Sequence, residues 1–497
     1  MTDDPRRTVD LIDNAELIDD GDGEIVGEAE TGQQGVEADS GDKPPPTPRA
    51  LGYDIDKMNE EFALVLLGSK AVVFLEQPNA PIEDVQRVLT LDALRAWFAN
   101  RWTEIVASDG KIKAVTWATA WLSDRRRRSY RGIEFHPDKD NTGGTRDYLN
   151  LWTGFSITPR RKDDGYAILR DHMLNNICDG DEKIYRWFFG FFAHMMQKPR
   201  ERLGVAIVLR GLMGSGKTKV GEVMGSLIQR HYFLVDDPRY VTGQFNAHMA
   251  TCLLLQADEA VWAGDKTAEG RLKGLVTSPI QQIEAKGVDP IRLKNYLRLI
   301  MTSNNDWVVP AGKDERRFCV LDINPRCAQN HEYFREMDEE LDNGGREALL
   351  YDLLHFDLSS VDLRKIPRTS ALLEQKIRSL DSVEMWWFER LMSGTTTRGG
   401  EAWLTRVPKS VLADDYIAVS DRIGVKRRAA DTEVGMKLAK LVPGITAERT
   451  NWDGPDGSQR RVWHWRLPSI ADCRASFEEA LQQRVDWPES SAAERQV

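Results

Sequence analysis

The sequence predicts an α/β chain: a parallel sheet with flanking helices at its centre, a small mixed α/β and helical domain before it, and a winged-helix domain after it. Three observations lead there. Between about 203 and 325, the short apolar runs VAIVLR (205–210), CLLLQA (252–257) and LRLIMTS (297–303) alternate with polar stretches of helical texture, as strands buried on both faces of a parallel sheet do. The first run leads directly into a glycine-rich loop. Much later, RRAADTEVGMKLAKL (427–441) precedes two strand-like segments in ITAERTNWDGPDGSQRRVWHWRLP (445–468), joined by a turn at 453–457, so helix, helix and hairpin come in winged-helix order.

Taken in order, the chain starts with an acidic tail. Residues 1–50 hold 14 acidic and four basic residues, a net charge of −10 out of −11 for all 497 residues. The tail is nearly free of aromatics, ends in KPPPTPR, and is expected to be disordered. The overall acidity therefore does not exclude nucleic acid as a partner of the rest. Residues 51–165 read as the small mixed domain: FALVLLGSKAVVFLEQ (62–77) gives two strands around Gly68-Ser69, and LTLDALRAWFANRW (89–102) an amphipathic helix. In a helical lead-in, 166–202, the apolar and aromatic segment DEKIYRWFFGFFAHMMQKP is closed by Pro199. The nucleotide-binding core is expected over 203–375, the winged-helix-like domain over 376–475 and a C-terminal tail over 476–497. No apolar run reaches the ~18 residues that span a bilayer, and MTDDPRRTVD lacks the apolar segment of a secretory signal, so a soluble, cytoplasmic protein with no membrane partner is expected. Five scattered cysteines without a Cys-x-x-Cys pair fit reduced, structural thiols.

The strongest chemical signal is Gly211-Leu-Met-Gly214-Ser215-Gly216-Lys217-Thr218, a fit to G-x-x-x-x-G-K-[ST] directly after a strand. Glycines let backbone N–H groups face phosphate oxygens, Lys217 supplies a charge at the β and γ phosphates, and Thr218 offers its hydroxyl to Mg²⁺. The implied ligands are ATP and Mg²⁺. Downstream, CLLLQADEA (252–260) ends in Asp258 and Glu259. Asp258 would complete the Mg²⁺ shell with Thr218, and Glu259 would polarise the attacking water. LRLIMTSN (297–304) delivers Asn304, followed by Asn305, with an amide suited to orient that water or sense the γ phosphate. Arg316 and Arg317 precede another apolar run, where a ring ATPase places the arginine that reaches a neighbouring site.

Three further clusters stand out. His136, Asp138 and Asp140 suggest a metal site, but no second carboxylate cluster completes a two-metal centre. Arg125, Arg126, Arg127, Arg128 and Arg131 form a basic run that is either a solvated face or a phosphate-contacting collar. Lys426, Arg427, Arg428, Lys437 and Lys440 lie on or near the expected recognition helix, and Arg460 and Arg461 on the wing. Trp463 and Trp465 alternate with His464 and Arg466, so the tryptophans are expected on a buried strand face.

The order GLMGSGKT, LLLQADE, QQIEAKGVDP, LIMTSNNDWVVP, DERRF resembles superfamily 3 helicases of the AAA+ class, particularly the phage, prophage and poxvirus-type primase-helicase proteins. YLNLWTGF (148–155), the lead-in to the glycine-rich loop and LEQKIRSLDSVEMWW (373–387) resemble that family's flanks, so the resemblance covers roughly 51–475. It implies an ATP-dependent DNA helicase forming a ring, a hexamer in the family. Such a ring would translocate on single-stranded DNA and open forked duplexes in phage or mobile-element replication, alongside a separate primase or polymerase. It implies ATP-binding and catalytic roles for Lys217, Thr218, Asp258, Glu259 and Asn304, a finger at Arg316 or Arg317, and a pore hairpin over 283–295 whose Lys286 grips DNA phosphates. Many relatives carry an upstream primase domain, for which this chain has little room. The alternative is an ATP-switched origin-binding initiator or loader without processive unwinding.

Overall fold

The computed structural model describes residues 52–81, 84–106, 110–243, 246–260, 266–284, 290–422, 431–453 and 459–488. The first unit is a mixed sheet. Helix α1 (Ile55–Glu61) leads into β1 (Phe62–Leu67), which pairs antiparallel with β2 (Lys70–Glu76), and β2 pairs with β3 (Gln86–Leu89). Gly68, at φ +56°, makes the tight turn between β1 and β2. The helix expected over 89–102 is shorter: α2 runs Leu91–Trp97, capped by Thr90, and Trp102 already starts β4 (Trp102–Val106), which pairs with β5 (Ile112–Thr116). Strand pairing claims the end of a segment whose apolar spacing alone read as helix. Helix α3 (Trp117–Ser123) then buries Trp121 against Phe62 and Leu94 in a small core of its own. Short β6 (Ser129–Tyr130) extends the first sheet parallel to β1, and β7 (Ile133–Glu134) pairs with β8 (Leu149–Asn150).

Residues Trp187–Met196 of α4 (Glu182–Gln197) are all buried. That explains why this stretch is apolar on every side, because each buried aromatic or aliphatic side chain contributes roughly 1.5–3 kcal/mol. Asp181 caps its first turn by accepting from the Lys183 and Ile184 N–H groups.

The central sheet is parallel throughout. Its strands are β9 (Ala206–Arg210), β10 (Tyr232–Val235), β11 (Leu254–Asp258), β14 (Arg298–Ser303) and β15 (Phe318–Asp322), in the spatial order β10-β11-β14-β9-β15. Every residue of β9 and β14 is buried, Arg210 and Arg298 at their ends included. Between β11 and β14 the chain makes a separate antiparallel hairpin, β12 (Ile280–Ile283) and β13 (Ile291–Lys294). Its tip, including Lys286, lies outside the described residues. One hydrophobic core runs from Ala63 through this sheet to Leu372 and takes in Phe135, Leu151 and Trp152 from before α4.

A second core gathers Val383 through Val485. Around it stand α6 (Ser382–Ser393), α7 (Lys409–Arg422), α8 (Asp431–Leu441) and a three-stranded antiparallel sheet in the order β16 (Arg406–Pro408), β18 (Gln459–Arg466), β17 (Thr446–Asp453). The turn residues 454–457 and the basic residues Lys426, Arg427 and Arg428 lie outside the described residues. One expectation holds only in part. On β18, Trp465 is half-buried against this core, but Trp463 on the same face is 53% exposed, and His464, 3% exposed, is buried on the opposite face. Thr450 Oγ1 lies 2.9 Å from its Nδ1.

Among the described residues, no helix is long and apolar enough to cross a membrane. All five cysteines are buried and unbridged.

Candidate functional site

The site forms at the carboxyl ends of three adjacent strands. β9 ends at Arg210 and the chain turns through Gly211–Gly216 into α5 (Lys217–Ser226). Gly216 has φ +84° and stands against the ring of His172: a Cβ there would lie 2.6 Å from His172 Cε1 and 2.7 Å from Phe334 Cε1. No other residue fits this turn without strain. Ser215 Oγ donates back to Leu212 O at 2.8 Å, closing the loop on itself. The first N–H groups of α5, which lack partners within the helix, make this end favourable for an anion.

Lys217 is 6% exposed. Its Nζ donates to Gly211 O and Leu212 O at 2.9 Å and to Asn304 Oδ1 at 2.5 Å. Burial pulls the ammonium pKa below its ordinary value, and the nearby Glu259 and Asp258 carboxylates push it back up.

The strand order decides what meets Lys217. Because β14 lies between β9 and β11, Asn304 leaves its end between Lys217 and the two acids. Asp258 closes β11 with Oδ2 accepting from Thr218 Oγ1 at 3.4 Å and Oδ1 accepting from Thr302 Oγ1. Glu259 sits at φ +53°, a left-handed conformation costing a non-glycine residue roughly 1 kcal/mol or more. It is held there from β14: its N–H donates to Thr302 O at 2.9 Å, Oε1 accepts the Asn304 N–H at 2.7 Å, and Oε2 accepts from Ser303 Oγ at 3.2 Å. The structure thus brings Gly211, Gly214, Ser215, Gly216, Lys217, Thr218, Asp258, Glu259 and Asn304 together. The hydroxyl of Thr218 and the carboxylate of Asp258 are the hard oxygen donors that suit Mg²⁺.

Several supporting residues carry no sequence signal. His172 lies in a π-helical turn, His172–Ile177, with Nε2 3.3 Å from Gly216 O and Nδ1 2.8 Å from Asn176 Nδ2. Burial lowers its pKa to about 4, so it is a neutral prop under the loop. Gln256, fully buried on β11, donates to Thr218 O at 3.1 Å and accepts from Tyr232 OH at 2.7 Å. Only a glycine at 221 leaves room for it, since a Cβ there would fall 1.8 Å from Gln256 Oε1.

Arg316 and Arg317 are not at this site. Ala206 donates its N–H to Arg317 O at 2.7 Å, which puts the pair at the amino ends of β9 and β15. That is one strand length, about 17 Å, from the loop that β9 feeds. The two differ in surroundings. Arg317 is partly buried, and its Nε finds no hydrogen-bond partner among the described residues. Arg316 is exposed and lines a recess of about 250 Å³ with Arg364, Lys365, Arg368 and Lys376. The acids there are engaged by backbone: Glu315 Oε1 accepts the Arg316 and Arg317 N–H groups at 2.9 and 2.6 Å, and Asp362 Oδ1 accepts the Arg364 N–H at 3.1 Å. Arg316, Arg364, Lys365 and Arg368 form no side-chain ion pair among the described residues.

The remaining sequence clusters divide. Arg128 is consumed structurally by a two-pronged pair with Glu76 at 3.1 and 3.2 Å, and Arg127 bonds Leu122 O and Ser129 Oγ, whereas Arg125 is exposed. His136 and Asp138 face Arg200, with His136 Nε2 2.7 Å from its guanidinium. Among the described residues no group of three His, Cys, Asp or Glu could hold a metal ion.

Comparison with known proteins bears on these positions. A model described as a family of unknown function (DUF5906) matches residues 209–317, from the end of β9 to Arg317. A curated DNA primase-polymerase of Nitratiruptor phage NrS-1 is 24% identical over 267 residues, 51% of this chain and 36% of that protein. The match therefore spans little more than a third of the relative's length. Solved apo structures of the NrS-1 C-terminal region superpose with TM-scores of 0.57 and 0.58 at 15% and 14% identity, covering 83% of this chain and 98% of each of those. The chain shares their fold.

Proposed function

We propose that this chain is an ATP-dependent DNA helicase of the superfamily 3, AAA+ type, acting in phage or mobile-element replication. One observation carries the reading. Lys217, Thr218, Asp258, Glu259 and Asn304 converge at the ends of three neighbouring parallel strands, with each side chain held by another of the group or by its strand. ATP would place its phosphates over the loop and the N-terminus of α5, where Lys217 exchanges its carbonyl partners for β- and γ-phosphate oxygens. Mg²⁺, held by Thr218 and Asp258, would supply neutralising charge between those phosphates. Glu259, fixed through β14, orients and polarises the attacking water, and Asn304 reads the γ phosphate through the same amide that now accepts from Lys217.

Arg316, on the far edge of the sheet, serves the site of another copy, so the active form is a ring, a hexamer in the family this chain resembles. The hairpin β12–β13 carries Lys286 to phosphates of single-stranded DNA, and β16–β18 with α7 and α8 form a winged helix. The NrS-1 relative, a primase-polymerase by name, supports a replication role, with priming by a separate protein or domain.

Strand displacement on a forked duplex, with ATP and Mg²⁺, tests this. Lys217→Ala and Glu259→Gln should abolish displacement and ATP turnover, with Glu259→Gln still binding ATP. ATP turnover by the wild type without displacement, dependent on duplex sequence, would support the initiator or loader instead.

A further inference from the structure

The C-terminal sheet displays an aromatic side chain that does not join its core. On β18, Arg461, Trp463 and Trp465 share one face. Trp465 belongs to the packing: it is half-buried against the second core, and its Cζ2 lies 3.4 Å from where a Cβ on Gly435 of α8 would stand. Trp463, one step along the same face, is past that cover and 53% exposed. Cross-strand register sets Arg449 opposite Trp463 and Asn451 opposite Arg461, and opposed residues project from the same face. From the first turn of α7, Lys409 brings Nζ to 3.8 Å from the Trp465 ring centroid and 5.5 Å from that of Trp463. Arg449 and Arg461 are exposed, and among the residues whose side chains the structure describes no carboxylate pairs with Lys409, Arg449 or Arg461. Glu448 projects from the opposite face, 3.9 Å from Arg406.

We propose that this face binds single-stranded nucleic acid, Trp463 stacking on an unpaired base while Lys409, Arg449 and Arg461 hold the phosphates beside it. A flat aromatic surrounded by unpaired cations is the combination that single-strand binders use, because every base offers a π-face and every linkage a charge. A protein-docking surface would instead present a contiguous apolar patch, whereas Trp463 stands alone among cations. The proposal rests on the helicase reading for the ligand being DNA.

Its test is separate from that reading because it uses no ATP. Fluorescence anisotropy would follow labelled oligonucleotides binding to the full chain carrying Lys286→Ala, which removes the proposed pore contact. The probes are a thymidine tract, the same tract with abasic sites, and a duplex. The thymidine tract should bind more tightly than the abasic one by roughly five- to a hundredfold, the range for one stacked base. Trp463→Ala should erase that difference and Trp463→Phe should retain most of it, with both variants melting like the parent. Arg449→Ala and Arg461→Ala should weaken both tracts alike. Unchanged binding in Trp463→Ala, equal losses on intact and abasic tracts, or a loss confined to duplex would overturn the proposal.

Discussion

The two edges of the central sheet are built on opposite plans. At the carboxyl edge, Lys217, Asp258, Glu259 and Asn304 are all engaged by groups of the same chain. At the amino edge, Arg316 and three cations around it have no side-chain ion pair among the described residues, while their acidic neighbours are occupied by backbone N–H groups. A pre-organised site needs little reorganisation when charge develops in it. A cluster of unpaired cations repels itself and is most stable when an anion arrives. One edge is therefore complete within the chain, and the other holds cations with no acid of the described residues to meet them. The proposed ring would use that difference, setting one copy's cations against the phosphates bound by the next.

Mixing subunits puts the most strain on this contrast. Arg316→Ala should lower ATP turnover by about three orders of magnitude, in the range for losing a finger arginine, and Arg317→Ala by much less. Lys217→Ala should be equally inactive. Combining the two inactive proteins should restore a measurable fraction of turnover, because a loop from the Arg316 variant can meet an intact Arg316 on the Lys217 variant. Absence of any recovery, in a mixture shown to co-assemble, would mean that the amino edge does not serve a neighbour.

A second test concerns how rigid the carboxyl edge has to be. Gly216→Ala forces a Cβ into His172 and Phe334 at a left-handed position, and the adjustment displaces the first turn of α5. Turnover should fall at least about a hundredfold, the scale for losing one aligned oxyanion donor, as measured by steady-state ATPase assays. A variant that turns over normally would show that the loop tolerates movement.

Arg210 ties the carboxyl edge to the helix beyond it. From the last position of β9 it bonds both oxygens of Asp322 at 2.6 and 2.7 Å, Glu374 at 2.5 Å on the helix Ser370–Arg378, and Asp306 O at 2.6 Å. The side-chain hydrogen bonds to Asp322, the largest cause, and to Glu374 raise its pKa against the cost of burial. Arg210→Gln should cost on the order of 2 kcal/mol in chemical denaturation, less than a sealed ion pair because both carboxylates are close to half exposed. An unchanged midpoint would remove Arg210 from the framework of the site.

What was legible in the sequence follows from how local each determinant is. The loop from Gly211 to Thr218 and the acids closing β11 announce themselves because contiguous residues with fixed backbone demands carry them. The strands β9, β11 and β14 are visible because burial on both faces leaves an unbroken apolar run. Their spatial order is not, and that order is what sets Asn304 between Lys217 and Glu259. His172 and Gln256 are invisible for the same reason: each acts across 38 to 44 residues of chain on a backbone carbonyl, a contact with no residue pattern. The exposure of Trp463 is not legible either, because period-two alternation tells which residues share a face but not where the covering helix stops.

The smallest expected effect is a response to acid. His172 at the loop and His231 behind β10 are buried and neutral, their pKa values lowered to about 4 and about 3, first by desolvation. His231 receives the Thr153 N–H on Nε2 and lies 2.9 Å from Thr251 O through Nδ1, so both ring nitrogens are committed to a neutral tautomer. In the unfolded chain each would titrate near 6.5. Between that value and the folded pKa, the unfolded state binds a proton that the folded state refuses, and stability falls as pH falls, by about 1.4 kcal/mol per pH unit for each ring. Above the unfolded value the effect vanishes. Thermal melts at about pH 7.5 and about pH 5.5 should therefore show a lower midpoint in acid, and replacing His231 by Asn should reduce the shift while lowering the midpoint itself. The same acid shift in both proteins would show that His231 takes up its proton without cost, and that its surroundings at the start of β10 are less tightly packed than its hydrogen bonds imply.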